Sequence, residues 1–417
     1  MKASMYKKQG VKVDTERPKL RNDLDFIPIQ SDGKMLILVQ DRLGMGKQGR
    51  VINPELYEIM IMLDGTRSIR DIQIELMLRQ GGNLVSIEEV EGLLQHLDSH
   101  LFLDSPLYRE TKIEIISKFL AQQIRYPSHA GLSYPENKED LKKRLDSILI
   151  TQKEAPLIPG DKIAALVAPH IDLEAGKKAY AIAYQAIRGI APKRVVILGV
   201  GHSMAKGLFS LTKKSFQTPL GKVEIDQDIV TELTKAGGNI ISEDDFAHRD
   251  EHSIEFQLIF LQHVLEDVSF SLVPILCGPL GLLPDYSRET YQAVAGEFLR
   301  VIADYVKDKE TLLICGVDLS HVGPKFGHDR PAYLILDESE AHDHKLLNFL
   351  CAGDADGFWL ESGRVGDKYH VCGFSVLACL LEILPPSKGH LLSYETFRED
   401  PTKSAVSFAS AVFTEVL

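Results

Sequence analysis

A chain of 417 residues, 44% apolar and 25% charged, is long enough for two domains with cores of their own, and its composition is that of a globular protein. A net charge of −12 argues against a nucleic-acid or membrane footprint spread over the whole chain. The start lacks the apolar core of a signal peptide and no apolar run of about 18 residues occurs, while five scattered cysteines make no disulfide framework, so a cytoplasmic setting is expected.

Residues 1–22 hold seven Lys/Arg against two Asp/Glu without apolar periodicity, which predicts a flexible basic tail. From 23 to 105 the signals are short and local. Residues 26–30 and 35–40 read as strands about the turn Ser31-Asp32-Gly33. Asn53 caps a helix with Pro54 at its first position and Leu56, Ile59, Met60 and Leu63 on one face. Ser68 opens a second helix, and Ser86 with Glu89 forms a capping box for a third. A closing strand over 101–103 would complete a small winged helix. Its third helix carries Glu88, Glu89, Glu91 and Asp98 and no Lys or Arg, a surface that phosphates repel, so no nucleic-acid partner is expected. Residues 106–123 form a linker that includes an amphipathic helix.

From 124 to 417 strands and helices alternate. A helix over 140–148 and a Pro-rich connection through Pro156 and Pro159 lead to the first of three similar stretches. These are A-A-L-V-A-P-H ending at His170, R-V-V-I-L-G-V-G-H ending at His202, and L-L-I-C-G-V-D-L-S-H ending at His321. Each is an all-apolar run, the mark of a strand buried on both faces, and each delivers a histidine just past its end. Helices are expected over 176–187, 227–236, 253–264, 290–307 and 374–384, with further strands over 270–276 and 406–412 and a hairpin over 207–224. The fold class is therefore α/β, with a central, largely parallel or mixed sheet flanked by helices. In such sheets ligands sit beyond the carboxyl ends of the strands.

Two histidines on rigid strand ends suit a metal, because imidazole is the commonest metal ligand; either could instead be a loop residue. Asp318, three residues before His321, could orient that ring, act with it as acid and base, or merely cap a turn. In D-E-H-S-I-E the acidic groups suit a helix start by charge alone, with His252 and Glu255 the better functional candidates. Cys372 precedes a late helix, a position that favours a thiolate, although a buried cysteine used as a small apolar residue is the commoner case. His342 and His344 read as a solvated helix face.

Seven segments in order, I-R-Y-P-S-H-A-G-L-S-Y, L-V-A-P-H, I-L-G-V-G-H, T-P-L-G-K-V-E-I-D, D-E-H-S-I-E, V-D-L-S-H and V-C-G, resemble the Memo family, in particular its prokaryotic AmmeMemoRadiSam system protein B branch. The resemblance runs from Ile124 to the C-terminus. It implies a fold similar to class III extradiol dioxygenases, with His170, His202 and Cys372 at the metal positions. It places Asp318 and His321 beside them as the catalytic pair, and Glu251, His252 and Glu255 along the substrate pocket. Phe374-Ser375 stand where relatives can carry a further histidine. A thiolate in place of a carboxylate departs from the iron dioxygenase pattern and favours softer metals such as Cu(I) or Zn, while the resemblance as a whole implies Fe(II) or Cu, with Zn possible. The segments I-N-P-E-L-Y-E-I and L-D-G-T-R-S-I-R-D-I, with the element order around them, are similar to PqqD-like peptide-recognition modules. The implied function is a metal-binding redox enzyme, oxygen- or copper/iron-dependent, with a peptide or protein partner docked on residues 23–105. The family name adds radical S-adenosylmethionine and AMMECR1-like protein partners. A non-catalytic metal- or peptide-binding adaptor and a zinc-dependent hydrolase are the alternatives, and no membrane partner is expected.

Overall fold

A computed structural model describes residues 17–31, 33–45, 50–152, 162–266 and 268–416. The chain divides into two compact units, Met1–Phe119 and Leu120–Leu417. No helix among the described residues is long and apolar enough to cross a membrane.

The first unit begins with β1 (Leu24–Ser31), β2 (Lys34–Asp41) and β3 (Arg50–Ile52), an antiparallel sheet in that order. Helices α1 (Pro54–Ile61), α2 (Ile69–Arg79), α3 (Ile87–Ser99) and α4 (Pro106–Leu120) follow. The caps lie where the residue types require them. Asn53 accepts from the Leu56 amide at 2.9 Å, and Ser68–Asp71 and Ser86–Glu89 are full capping boxes. Met60, Ile72, Val90, Leu94 and Leu97 pack with Ile37 and Val39 as one core. Two expectations change. The third strand is β3, whereas Leu103 makes only a single bridge to Leu20. The end of the basic tail is also tied down, because Arg21 is buried between Asp23 at 3.3 Å and Asp41 at 2.7 Å. The remainder of that tail, 1–16, and the connection through Pro156 and Pro159 lie outside the described residues.

The second unit opens with β4 (Ile124–Arg125), α5 (Lys138–Leu149), β5 (Ile163–Ala168), α6 (Lys177–Ala186) and β6 (Arg194–Val200). Then come β7 (Phe209–Leu211), β8 (Ser215–Thr218), β9 (Gly221–Val223), α7 (Gln227–Gly237), α8 (His252–Val264) and β10 (Ser271–Cys277). The chain continues through α9 (Arg288–Val306), β11 (Thr311–Gly316), β12 (His321–Val322), α10 (Leu336–Ala352), α11 (Ala355–Val365) and α12 (Phe374–Ile383). A long hairpin, β13 (Ser387–Glu399) and β14 (Ser404–Glu415), follows.

The main sheet runs β12-β14-β5-β11-β6-β10-β7, with β13 paired to β14. Strands β5, β11, β6 and β10 are parallel and, past the Thr311, Arg194 and Ser271 that begin the last three, apolar and buried, as expected of strands covered on both faces. β14 and β7 join them antiparallel, so the sheet is mixed. Helix α11 and strand β13 were not foreseen, and of α10 only the face carrying His342 and His344 was. β13 is half-exposed along much of its length, and S-K-G-H-L-L-S-Y-E-T-F-R-E shows no continuous apolar run. His342 corrects the solvated reading of its helix: it is buried and meets Glu361 at 3.1 Å, while His344 is exposed.

Two contacts seat α8 against the strand ends. Gly199 of β6 and Gly316 of β11 are register partners. A Cβ at Gly199 would lie 2.5 Å from Ser253 Oγ, and one at Gly316 would lie 2.3 Å from the Ser253 carbonyl oxygen. Only the absence of side chains on both strands lets the first turn of α8 come this close. The second contact is a buried clamp. Glu255, fully buried on α8, pairs with Arg125 of β4 and accepts from the Tyr134 hydroxyl. It also accepts from the amides of Ser128 at 3.1 Å and His129 at 3.0 Å. Arg125 in turn donates to the carbonyls of His248 at 3.0 Å and Glu251 at 2.9 Å. Burial raises the Glu255 pKa, but Arg125 and the donors outweigh it and the net shift is downward.

Gly316→Ala is expected to destabilise the protein by about 1–3 kcal/mol, since the helix start must move to admit the methyl group; urea unfolding measures it, and an unchanged midpoint would disprove the close contact. Arg125→Ala leaves a carboxylate buried without its cation and should cost about 3–5 kcal/mol at pH 7. Because the folded pKa of Glu255 is depressed, its stabilisation is present above the ordinary glutamate range and is lost as pH falls through the lower folded value. The gap between wild type and Arg125→Ala should therefore narrow in acid.

Candidate metal centre

The carboxyl ends of three adjacent strands converge. β5 leads into His170, β6 into His202 and β11 into Asp318, while α8 places Glu251 and His252 at the same edge. His170, His202 and His252 are a set whose ligand atoms all lie within 4.8 Å of one another. Their rings are close: 5.0 Å from His170 to each of the others, and 4.9 Å with near-parallel planes between His202 and His252.

The residues around them prepare these rings as donors. His170 Nδ1–H donates to the Gly316 carbonyl at 3.0 Å, which fixes the tautomer and leaves the Nε2 lone pair available. His202 Nδ1 stands 3.1 and 3.0 Å from the two oxygens of Glu251, with the same consequence. His252 Nδ1 is 3.4 Å from Glu251, so one carboxylate serves two rings. It also caps α8 by accepting from the Ser253 amide at 2.9 Å. Burial lowers the pKa of His170 and holds that of His252 well below the imidazole range, keeping both rings neutral. Burial also works against charge on His202, but Glu251 outweighs it and raises that pKa. Glu251 is itself held well below the carboxylate range, because His202 and His252 overcome the cost of its burial. A buried, ionised carboxylate behind imidazole Nδ1 atoms is the arrangement that metal-ligating histidines use.

Cys372 reaches the same place from the turn before α12. Its Sγ is 3.6 Å from His170 Nε2 and 3.6 Å from the Asp318 carbonyl oxygen. Sulfur and nitrogen ligands of one tetrahedral metal, at about 2.3 and 2.05 Å from it, stand about 3.6 Å apart. The thiol is thus spaced to share a metal with His170. Burial, reinforced by Asp318, pushes the Cys372 thiol up, so the expected thiolate at a helix start does not arise from the protein alone. Gly373 permits the approach: a Cβ there would meet the Asp318 carbonyl oxygen at 2.5 Å.

Asp318 does not orient His321. Its Oδ1 accepts from the amides of His170 at 3.0 Å and Ile171 at 3.2 Å, and Oδ2 lies 3.6 Å from His170 Nε2. Burial raises its pKa. The ring of His321 is held instead by the Leu319 carbonyl, which accepts from Nδ1–H at 2.9 Å. Burial depresses the His321 pKa to about 3, so the ring is neutral with Nε2 unprotonated.

The structure therefore brings His170, His202, His252, Glu251, Asp318 and Cys372 together, with His321 close enough for His170 and His202 to oppose its protonation. Glu255 stands apart. Expected to line a pocket, it is buried among donors and serves the clamp. His252, read from the sequence as a pocket residue, joins the donor set. His129 was not singled out: its ring lies 5.5 Å from that of His252, and its Nε2 donates to the Asp250 carbonyl at 3.0 Å. Its placement inside the I-R-Y-P-S-H segment was the available signal.

The family model described as Memo-like protein matches residues 125–412. A MEMO1 family protein of Aquifex aeolicus is 31% identical over 401 residues, spanning 95% of this chain and 100% of that protein. A MEMO1 family protein of Thermus thermophilus is 27% identical over 350 residues, 83% of this chain and 99% of its own length. The Protein memo-1 homolog of Caenorhabditis elegans is 31% identical over 206 residues, 49% of this chain and 55% of that protein. With most of the second unit inside the family model and the Aquifex protein matched from end to end, this chain belongs to the Memo-like family.

Proposed function

We propose that this protein binds one transition metal at the strand ends and uses it in oxygen-dependent redox chemistry. The observation that carries this reading is the set His170, His202 and His252, with ligand atoms within 4.8 Å of one another; Cys372 is not part of that set but its thiol lies 3.6 Å from His170 Nε2. The donor chemistry fits such an ion: imidazoles suit iron, copper and zinc, and a nearby thiol draws the preference toward copper, zinc and thiolate-bound iron. An iron or copper ion held there would supply an electron couple and a Lewis acid.

The protein's own groups divide the remaining work. Glu251 holds His202 and His252 in place and balances incoming positive charge. His321 offers an unprotonated Nε2 as acceptor for a substrate proton, and since burial holds its pKa at about 3 it would keep that proton only while charge developing beside it compensates. Asp318 fixes the backbone of His170 and Ile171. Partly exposed His202 and His252 lie on the side open to substrate. We also propose that the first unit docks a peptide or protein segment. Its outer strands β1 and β3 and the exposed side chains of Leu78 and Leu84 support this. A hydrolytic reading with zinc rests on the same histidine set, which matches the donors of catalytic zinc sites.

Anaerobic purification followed by elemental analysis, optical and electron paramagnetic spectra and oxygen-uptake measurements tests the proposal. Wild type should hold one iron or copper per chain. His170→Ala, His202→Ala and His252→Ala should each lose it. Cys372→Ser should lose the sulfur-to-metal absorption band and bind the ion roughly 10–100-fold more weakly. Stoichiometric metal in all four variants would eliminate the site. Redox-silent zinc without oxygen uptake would select the hydrolase, and a protein that takes up no metal would be a binding protein.

A further inference from the structure

The short link between β11 and β12 carries several contacts of the centre at once. The Leu319 carbonyl accepts from His321 Nδ1–H at 2.9 Å and from the Cys372 amide at 3.3 Å. The Asp318 carbonyl accepts from the Gly373 amide at 3.1 Å. Something has to hold this link, because none of its residues, 317–320, belongs to a strand and β12 is only two residues long.

The hold comes from β14 and from α10. The Leu319 amide donates to the Ser407 carbonyl at 2.8 Å, and the Ser407 amide donates to the Ser320 carbonyl at 3.0 Å. The Ser320 amide donates to Ser407 Oγ at 2.9 Å. Behind them lies Asp343, fully buried on α10. Ser320 Oγ donates to its Oδ1 at 2.6 Å, the Tyr394 hydroxyl to its Oδ2 at 2.9 Å, and the Ser407 hydroxyl also to Oδ2. These hydrogen-bond partners are three neutral hydroxyls. A carboxylate buried among neutral donors is expensive to desolvate, and burial raises its pKa accordingly. An amide or an apolar residue would be a cheaper filling, so the carboxylate is there for its geometry: two acceptor oxygens that take both serine hydroxyls at once.

We propose that Asp343 is a positioning residue for His321, acting through Ser320 to fix the carbonyl of Leu319 and hence the tautomer of the imidazole. The inference rests on the proposed function only in taking His321 as the group that accepts a proton. Asp343→Asn removes one acceptor oxygen and introduces an N–H2 that cannot accept from a serine hydroxyl. One serine must turn, and the link with it.

The test is nitrogen NMR of the full chain labelled at histidine, in metal-free protein, with the His321 signals assigned by their loss in His321→Asn. Wild type should show His321 as a single tautomer, protonated at Nδ1 and unprotonated at Nε2. Asp343→Asn and Ser320→Ala should each replace it by a mixture of the two tautomers. Tyr394→Phe removes the third donor to Asp343 but leaves the Ser320 link, so it should keep the single tautomer even where it lowers the melting temperature. If Asp343→Asn does not fold, Ser320→Ala against Tyr394→Phe decides alone. An unchanged tautomer in Asp343→Asn and Ser320→Ala, or an equal change in Tyr394→Phe, would overturn the proposal. A wild type that binds no metal would defeat the functional reading and leave this comparison intact, since the tautomer is read without metal.

Discussion

The centre depends on one close approach, that of the first turn of α8 to the facing glycines of β6 and β11. Parallel strands alone bring His170, His202 and Asp318 to one edge. They do not bring Glu251 or His252, which sit on a helix that would ordinarily ride a side chain's width above the sheet. With Gly199 and Gly316 in register, the hydroxyl and the carbonyl of Ser253 occupy the room two side chains would have filled. That places the Glu251 carboxylate 3.0 Å from His202 Nδ1 and stacks His252 over His202. Packing that looks like a detail of strand–helix contact thus decides how many donors face one another.

Three buried carboxylates in this unit do three different kinds of work, and their surroundings say which. Glu255 meets a guanidinium and several other donors, so it is ionised and holds two distant segments together. Glu251 meets two imidazoles and a helix amide and is ionised to balance charge. Asp343 meets hydroxyls alone and is shifted the opposite way by burial. Desolvation is common to all three; the difference lies in whether a cation, a ring able to hold a proton, or only dipoles compensate it.

Strands β5, β6 and β11 were legible because apolar runs such as Val195–Val196–Ile197 have few alternatives to burial on both faces, and each of the three leads into a residue of the centre. The first unit's helix starts were legible from Asn53, Ser68 and Ser86 because caps are local chemistry. What failed to show was long-range. His252 follows an acidic pair that reads equally well as a cap, and in fact Glu251 is both cap and ring partner. The partner of Glu255 lies 130 positions earlier, so nothing near it announces a buried ion pair. His342 and Asp343 sit in a run of charged residues whose burial follows from packing against Glu361, Tyr394 and β14, elements with weak periodicity of their own. Asp318 meets the backbone of His170 and Ile171 rather than the ring three residues after it, since spacing along the chain says nothing of which neighbouring strand a turn faces.

Strand β14 pairs with β5 through Ala411 and Val167, and its Ser407 holds the link that carries His321. Residues separated by more than two hundred positions must therefore meet before the edge bearing the centre is complete. During synthesis, β5 and β6 emerge with one flank of the sheet open until β14 arrives, exposing an apolar strand edge to solvent and to other chains in the meantime. Under the proposed function, capture of a metal would accordingly wait until this strand is in place. A ribosome-bound chain stalled before β14 would have His170 and His202 on hand and would still lack the strand that fixes their neighbours.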